Sequence, residues 1–99
     1  MIYIFDIDGT ICSLVQNAEY MKAKPLKTRI QQVNNLYLEG HVIKLYTARG
    51  SSTGIDWTEV TKKQLHEWGV KYNDLIMNRK PHGDIFVDDK AVNADDFFK

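Results

Sequence analysis

Two acids stand two residues apart near the start of the chain, Asp6 and Asp8 in IYIFDIDGTI, followed at once by Gly9 and Thr10. The residues before and between them, Ile2–Ile7, are almost wholly apolar and β-favouring, which reads as a strand buried on both faces, the habit of parallel sheets. Side chains alternate along a strand with a period of two, so Asp6 and Asp8 project to the same side. Two acids so close cannot both ionise freely unless a cation intervenes or one of them keeps its proton. A hard cation suited to such oxygen ligands is Mg2+, which takes one or two carboxylates, waters and a substrate phosphate. With the metal bound, Asp6 can stay ionised as a nucleophile and Asp8 can hold a proton for a leaving group. Gly9 lets the backbone turn sharply and come close to a ligand.

These acids need elements to position them. Leu26, Ile30, Val33 and Tyr37 recur at helical spacing, with Gly40 as a stop, and predict a helix over 26–39. His41–Tyr46 follows as a second strand, ending in TARG. A second helix is expected from Trp57 to Trp68, with Asp56 as its N-cap and Gly69 at its end. A third strand is expected over Asp74–Met77 and a fourth over Asp84–Val87, the latter running into Asp88 and Asp89. Residues 11–25 show no clean period and read as an irregular loop or small hairpin; 91–99 read as a helical turn or a frayed end. Alternating strands and helices predict an α/β fold on a mostly parallel sheet.

Only about seven residues, around NRKPHG, join the third strand to the fourth. Crossing three strand spacings takes about 14–15 Å, within the roughly 23 Å reach of seven extended residues. The expected order is therefore 4-1-2-3. Ligands of open parallel sheets sit beyond the carboxyl ends of the strands, where the strand order reverses. In this order the reversal lies between strands one and four, so Asp6, Asp8, Asp88 and Asp89 converge there. Thr47 arrives from strand two and Lys80 from the exit of strand three.

With those residues assembled, the chain resembles the haloacid dehalogenase (HAD) superfamily of hydrolases, in its small capless phosphatase form. Four motifs match in order over about residues 2–93: Asp6-Ile7-Asp8-Gly9-Thr10, the strand KLYT ending in Thr47, Lys80, and Asp88-Asp89 after IFV. The resemblance implies a Rossmann-like fold with helices on both faces of a mostly parallel sheet and a minimal cap or none. It implies a phosphoric monoester hydrolase working through an aspartyl-phosphate on Asp6, with Asp8 as the acid and then the base. Mg2+ would be held by the Asp6 carboxylate, the Asp8 backbone carbonyl and Asp88. Thr47 and Lys80 would hold the phosphoryl oxygens. Asp89 would stand behind them, on a metal-bound water or bracing Lys80, with Asn93 a further candidate there. An acid at Asp8 favours phosphomonoesters over dehalogenation, because an alkoxide leaving group needs its proton. The short stretch 11–24 leaves room for a flap and no cap domain, and such minimal chains are associated with capsule polysaccharide and surface-sugar biosynthesis. The expected partner is a small phosphomonoester such as a sugar phosphate, and a homo-oligomer in which a second subunit shields the open site is compatible with the pattern.

The remaining residues narrow the field. Cys12 lacks an arginine six positions on, where Ala18 stands, so it reads as packing and not as a phosphatase nucleophile. Arg49 is as readily a surface cation as a substrate contact. His82 falls near the site, whereas His41 and His66 show no metal-ligand spacing, and Trp57 and Trp68 read as core. No dinucleotide or P-loop glycine pattern occurs. Thirteen basic residues balance thirteen acidic ones, which argues against a broad nucleic-acid surface. Hydrophobic residues at 43% in a 99-residue chain predict one globular domain, 1–99. A lone cysteine and a start too short and acidic for a leader or membrane span point to the cytoplasm. Two other classes stay open: a receiver-like phospho-acceptor module, which would lack an acid two residues past its acceptor, and a 3′-phosphatase of nucleic-acid ends, which would prefer a more basic, aromatic surface.

Overall fold

The computed structural model describes residues 1–51, 53–78, 85–88 and 92–98; in 85–98 it describes the side chains of Val87, Asp95, Phe97 and Phe98. Lys80, His82 and Asp89 lie outside the described residues, as does the side chain of Asp88.

Strand β1 (Ile2–Asp6) is followed by a short 3-10 turn (Tyr20–Lys22), helix α1 (Lys27–Leu38), β2 (Val42–Thr47), α2 (Thr58–Glu67) and β3 (Asp74–Met77). Then come β4 (Ile85–Asp88), β5 (Val92–Asn93) and the single turn α3 (Ala94–Phe97). The strands form one sheet in the order β3-β2-β1-β4-β5, with every pairing parallel. This is a small α/β fold of Rossmann-like kind, with the expected order plus a two-residue edge strand that no sequence period could announce.

Alternation along the strands sets the core. Phe5, Ile43, Leu45 and Val87, all fully buried, share one face of the sheet. Ile30 and Val33 of α1 and Leu65 of α2 join the same cluster. Phe97 of α3 meets that face as well, its ring 6.1 Å from Tyr3 and 5.5 Å from Phe5. The expectation of helices on both faces is therefore corrected: among the described residues, all the helical cover lies on one. The reason is handedness. The chain moves β1 to β2 to β3 in one direction, and right-handed crossovers taken in one direction place their helices on one side. The opposite face presents Ile4, Lys44, Tyr46 and Ile76; Ile4 is fully buried, flanked in register by Lys44 and Phe86.

The two long helices start differently from expectation. Trp57 takes the N-cap position of α2, while the Asp56 carboxylate, one residue earlier, accepts the Thr58 amide at 2.9 Å. That hydrogen bonding to Thr58 holds the Asp56 carboxyl below its usual range. Trp68 packs against the core, but Trp57 does not join it: its ring stands edge-on to Tyr20, with centroids 5.0 Å apart. No helix among the described residues is long and apolar enough to cross a membrane.

Candidate active site

The acidic motif is shaped by a knot of backbone bonds at the end of β1. The Ile7 amide continues the ladder to the Tyr46 carbonyl at 2.9 Å, and the Ile7 carbonyl then accepts the amides of Thr10, Ile11 and Cys12 at 3.2, 3.0 and 3.3 Å. Such a reversal within five residues needs a left-handed position. Gly9 supplies it at φ +81°, and a Cβ there would press on the Leu14 side chain at 3.1 Å. Arg29 of α1 braces the turn, donating to the Thr10 carbonyl at 3.2 Å while pairing with Asp95.

Strand register fixes what meets at this edge. Asp6 ends β1 and its Oδ1 accepts the Ile7 amide at 3.0 Å. Phe5 pairs with Val87, so Asp6 and Asp88 follow side by side at the carboxyl ends of neighbouring strands, about 4.8 Å apart. Thr47 ends β2, fully buried, and its hydroxyl donates to Asp8 Oδ2 at 3.0 Å. The structure thus brings together Asp6, Asp8, Thr47 and the backbone of Asp88, as the sequence led one to expect. Among the described residues no three His, Cys, Asp or Glu side chains gather.

Arg49 is where one of the two sequence readings fails. It is 1% exposed, not a surface cation. Its Nε lies 3.1 Å from both Asp8 oxygens and its Nη2 donates to Asp8 Oδ1 at 2.8 Å. Nη1 donates to Thr61 Oγ1 at 3.1 Å and to Gln64 Oε1 at 2.6 Å, both on α2. Its Cζ stands 4.7 Å from the centroid of the Tyr20 ring. One signal could have exposed it. Thr61 and Gln64 interrupt the stripe that Trp57, Leu65 and Trp68 mark on α2, and polar residues on an inward stripe require a buried polar partner.

Two further residues shape this corner. The Asn78 backbone, at φ +67°, donates to the Thr47 carbonyl at 2.8 Å, and its side-chain amide is placed to donate to the Ala48 and Arg49 carbonyls at 3.2 and 3.0 Å. Cys12 is fully buried, as a packing residue should be, and burial beside the Asp8 carboxylate pushes its thiol up to about 12. A thiol held that high is no nucleophile.

A cavity of about 380 Å³ opens on Asp6 and Asp8 and is lined by Leu14, Val15, Tyr20, Ala48, Arg49 and Ser51 as well. One wall is the stretch after the acidic motif, tied down by the Ser13 amide on the Lys24 carbonyl (2.8 Å) and by Gln64 Nε2 on the Tyr20 carbonyl (2.6 Å). It is a flap, as expected, and not a cap domain. A carboxylate at the cavity, a second carboxyl held by a hydroxyl and a buried guanidinium, and an open chamber of this size suit chemistry on a small anionic substrate.

No family model and no curated protein matches the chain. Among solved structures it is similar to a crystal structure of an MCSG target protein from Vibrio cholerae, with a TM-score of 0.75 and 23% identity. The match covers 99% of this chain and 88% of that one. At that identity the likeness establishes the α/β fold.

Proposed function

We propose that the chain is a Mg2+-dependent phosphomonoester hydrolase of the HAD superfamily, of the small capless kind, acting on a small phosphorylated metabolite such as a sugar phosphate. The observation that carries the reading is the meeting of Asp6, Asp8 and Thr47 at the carboxyl edge of β1 and β2, with both acids opening on a cavity and Asp88 beside Asp6 in register.

The chemistry divides into two balanced halves. A carboxylate oxygen of Asp6 forms a bond to phosphorus as the ester P–O bond breaks, and the departing alkoxide oxygen takes a proton from the Asp8 carboxyl. Asp8, now a carboxylate, then takes a proton from water as the water oxygen bonds to phosphorus; the bond to Asp6 breaks and inorganic phosphate leaves. Thr47, and in this reading Lys80, donate hydrogen bonds to the phosphoryl oxygens. The donor set fits a hard cation in kind: Asp6 and Asp88 supply carboxylates from adjacent strand ends, and Asp8 follows Asp6 by two residues, with a backbone carbonyl to offer. Mg2+ held by the Asp6 carboxylate, the Asp8 carbonyl and Asp88, with Asp89 behind, would neutralise charge on the phosphoryl oxygens.

The test is a phosphate-release screen with and without Mg2+ across sugar phosphates, nucleotides and 3′-phosphorylated oligonucleotides. Metal-dependent release from sugar phosphates is the expected result. Preference for the oligonucleotides would move the substrate class to nucleic-acid ends. A stable phosphoprotein with no turnover would favour the phospho-acceptor module.

A further inference from the structure

We propose that Arg49 is a positioning residue for Asp8: its buried fork fixes the plane of the Asp8 carboxyl so that Oδ2, once Thr47 turns to a phosphoryl oxygen, faces the leaving group. This rests on the phosphomonoesterase reading above. The geometry separates positioning from substrate binding by a count of donors. A guanidinium has five N–H groups and no acceptor. Nε and one Nη2 hydrogen serve Asp8, the two on Nη1 serve Thr61 and Gln64, and the remaining Nη2 hydrogen points to Cys12 Sγ at 4.0 Å. No donor is left over for a phosphate.

The fork's other anchors take no part in the chemistry. Thr61 and Gln64 belong to α2, and Gln64 also binds the Tyr20 carbonyl, so the plane of the guanidinium is fixed by the helix and the flap together. Asp8 is thus held from two sides: Arg49 grips the carboxyl, with Nη2 on Oδ1 at 2.8 Å and Nε 3.1 Å from both oxygens, and Thr47 lends its hydroxyl to Oδ2 at 3.0 Å. A phosphoryl oxygen reaching Thr47 displaces only the second hold. Lysine cannot reproduce this, because a single ammonium cannot span Asp8, Thr61 and Gln64 in one plane.

The experiment compares rates of phosphoenzyme formation in rapid quench on an alkyl phosphate and on p-nitrophenyl phosphate, which departs without a proton. Arg49→Lys should lose about tenfold or more beyond its aryl loss on the alkyl substrate, with KM for the aryl substrate unchanged. In an Asp8→Ala background the same change should cost little more. Gln64→Met, which loosens the fork without removing its charge, should show the same leaving-group signature in smaller measure; it decides the matter if Arg49→Lys fails to fold by circular dichroism. Equal losses on both substrates, losses additive with Asp8→Ala, or a raised KM with an unchanged alkyl-to-aryl ratio would overturn the positioning role and leave the hydrolase reading standing. A wild-type protein that releases phosphate from neither substrate overturns both.

Discussion

Asp6 and Asp8 are given different tasks in the proposed mechanism. Asp6 keeps one oxygen on the neighbouring Ile7 amide at the lip of the cavity, whereas Asp8 lies in a nest of donors from Thr47 and Arg49. Asp6→Asn preserves shape and removes the proposed nucleophile. Steady-state turnover should fall by several orders of magnitude, and retention of about a tenth (roughly 1.4 kcal/mol of barrier) would end the covalent mechanism. Cys12 gives an independent check of the packing around this nest. Its thiol deprotonates in the unfolded chain near 9.0 and in the folded one near 12. The folded state therefore binds the extra proton between those values, so this contribution to stability is complete below about pH 9 and is lost as pH rises toward 12. Urea midpoints measured along that limb should fall more steeply for the wild type than for Cys12→Ala. The motif residues were legible because their types and spacing carry the chemistry by themselves. Arg49 was not, since a lone arginine after a strand carries no mark of burial; only its partners on α2, read as a polar break in an apolar stripe, would have revealed it.

At the scale of elements, residues 48–51 and 53–57 and the start of α2 decide whether Arg49 reaches Asp8. Gly50 sits at φ +86°, and a Cβ there would fall 2.0 Å from the Ile55 carbonyl oxygen. Gly50→Ala therefore has to move backbone, beyond the ~1–2 kcal/mol that left-handed alanine costs by itself. We expect a lower thermal midpoint together with weakened activity on alkyl phosphates, while Gly54→Ala, with open space around its added carbon, should show only the backbone cost. Asp56 stabilises the first turn of α2 through the Thr58 amide. Its carboxyl is held below 3.8, so the contribution is present above that value and fades as pH falls through the lowered one. Asp56→Ala should lower the melting temperature at pH 7 and make no difference once both states are protonated. Strand positions were readable from apolar runs and the helices from their spacing. The cap was misplaced by one residue because Asp56 serves α2 from outside its N-cap, and Trp57 was misread because an aromatic at helical spacing looks the same against a flap as in a core.

For the whole molecule, topology does the gathering. Strands β1 and β4 come from opposite ends of the sequence yet lie side by side, which puts Asp6 next to Asp88. The order was derivable from chain reach and from where acids must meet. The one-sided helical cover was equally derivable from crossover handedness, whereas β5, two residues long, is too short for any pattern. The same convergence predicts metal dependence: chelation should abolish phosphate release and Mg2+ restore it, and Asp88→Ala should raise the Mg2+ concentration required more than Asp89→Ala does. The central claim is that phosphorus becomes bonded to Asp6. With the base proposed at Asp8 removed, Asp8→Ala should slow hydrolysis of that bond, so the variant, mixed with p-nitrophenyl phosphate and Mg2+ and quenched in acid, should retain it. Peptide mass spectrometry should then find one phosphoryl group on the peptide and side chain of Asp6. Release of p-nitrophenol with no adduct, or with the phosphoryl group on any other residue, would contradict the account.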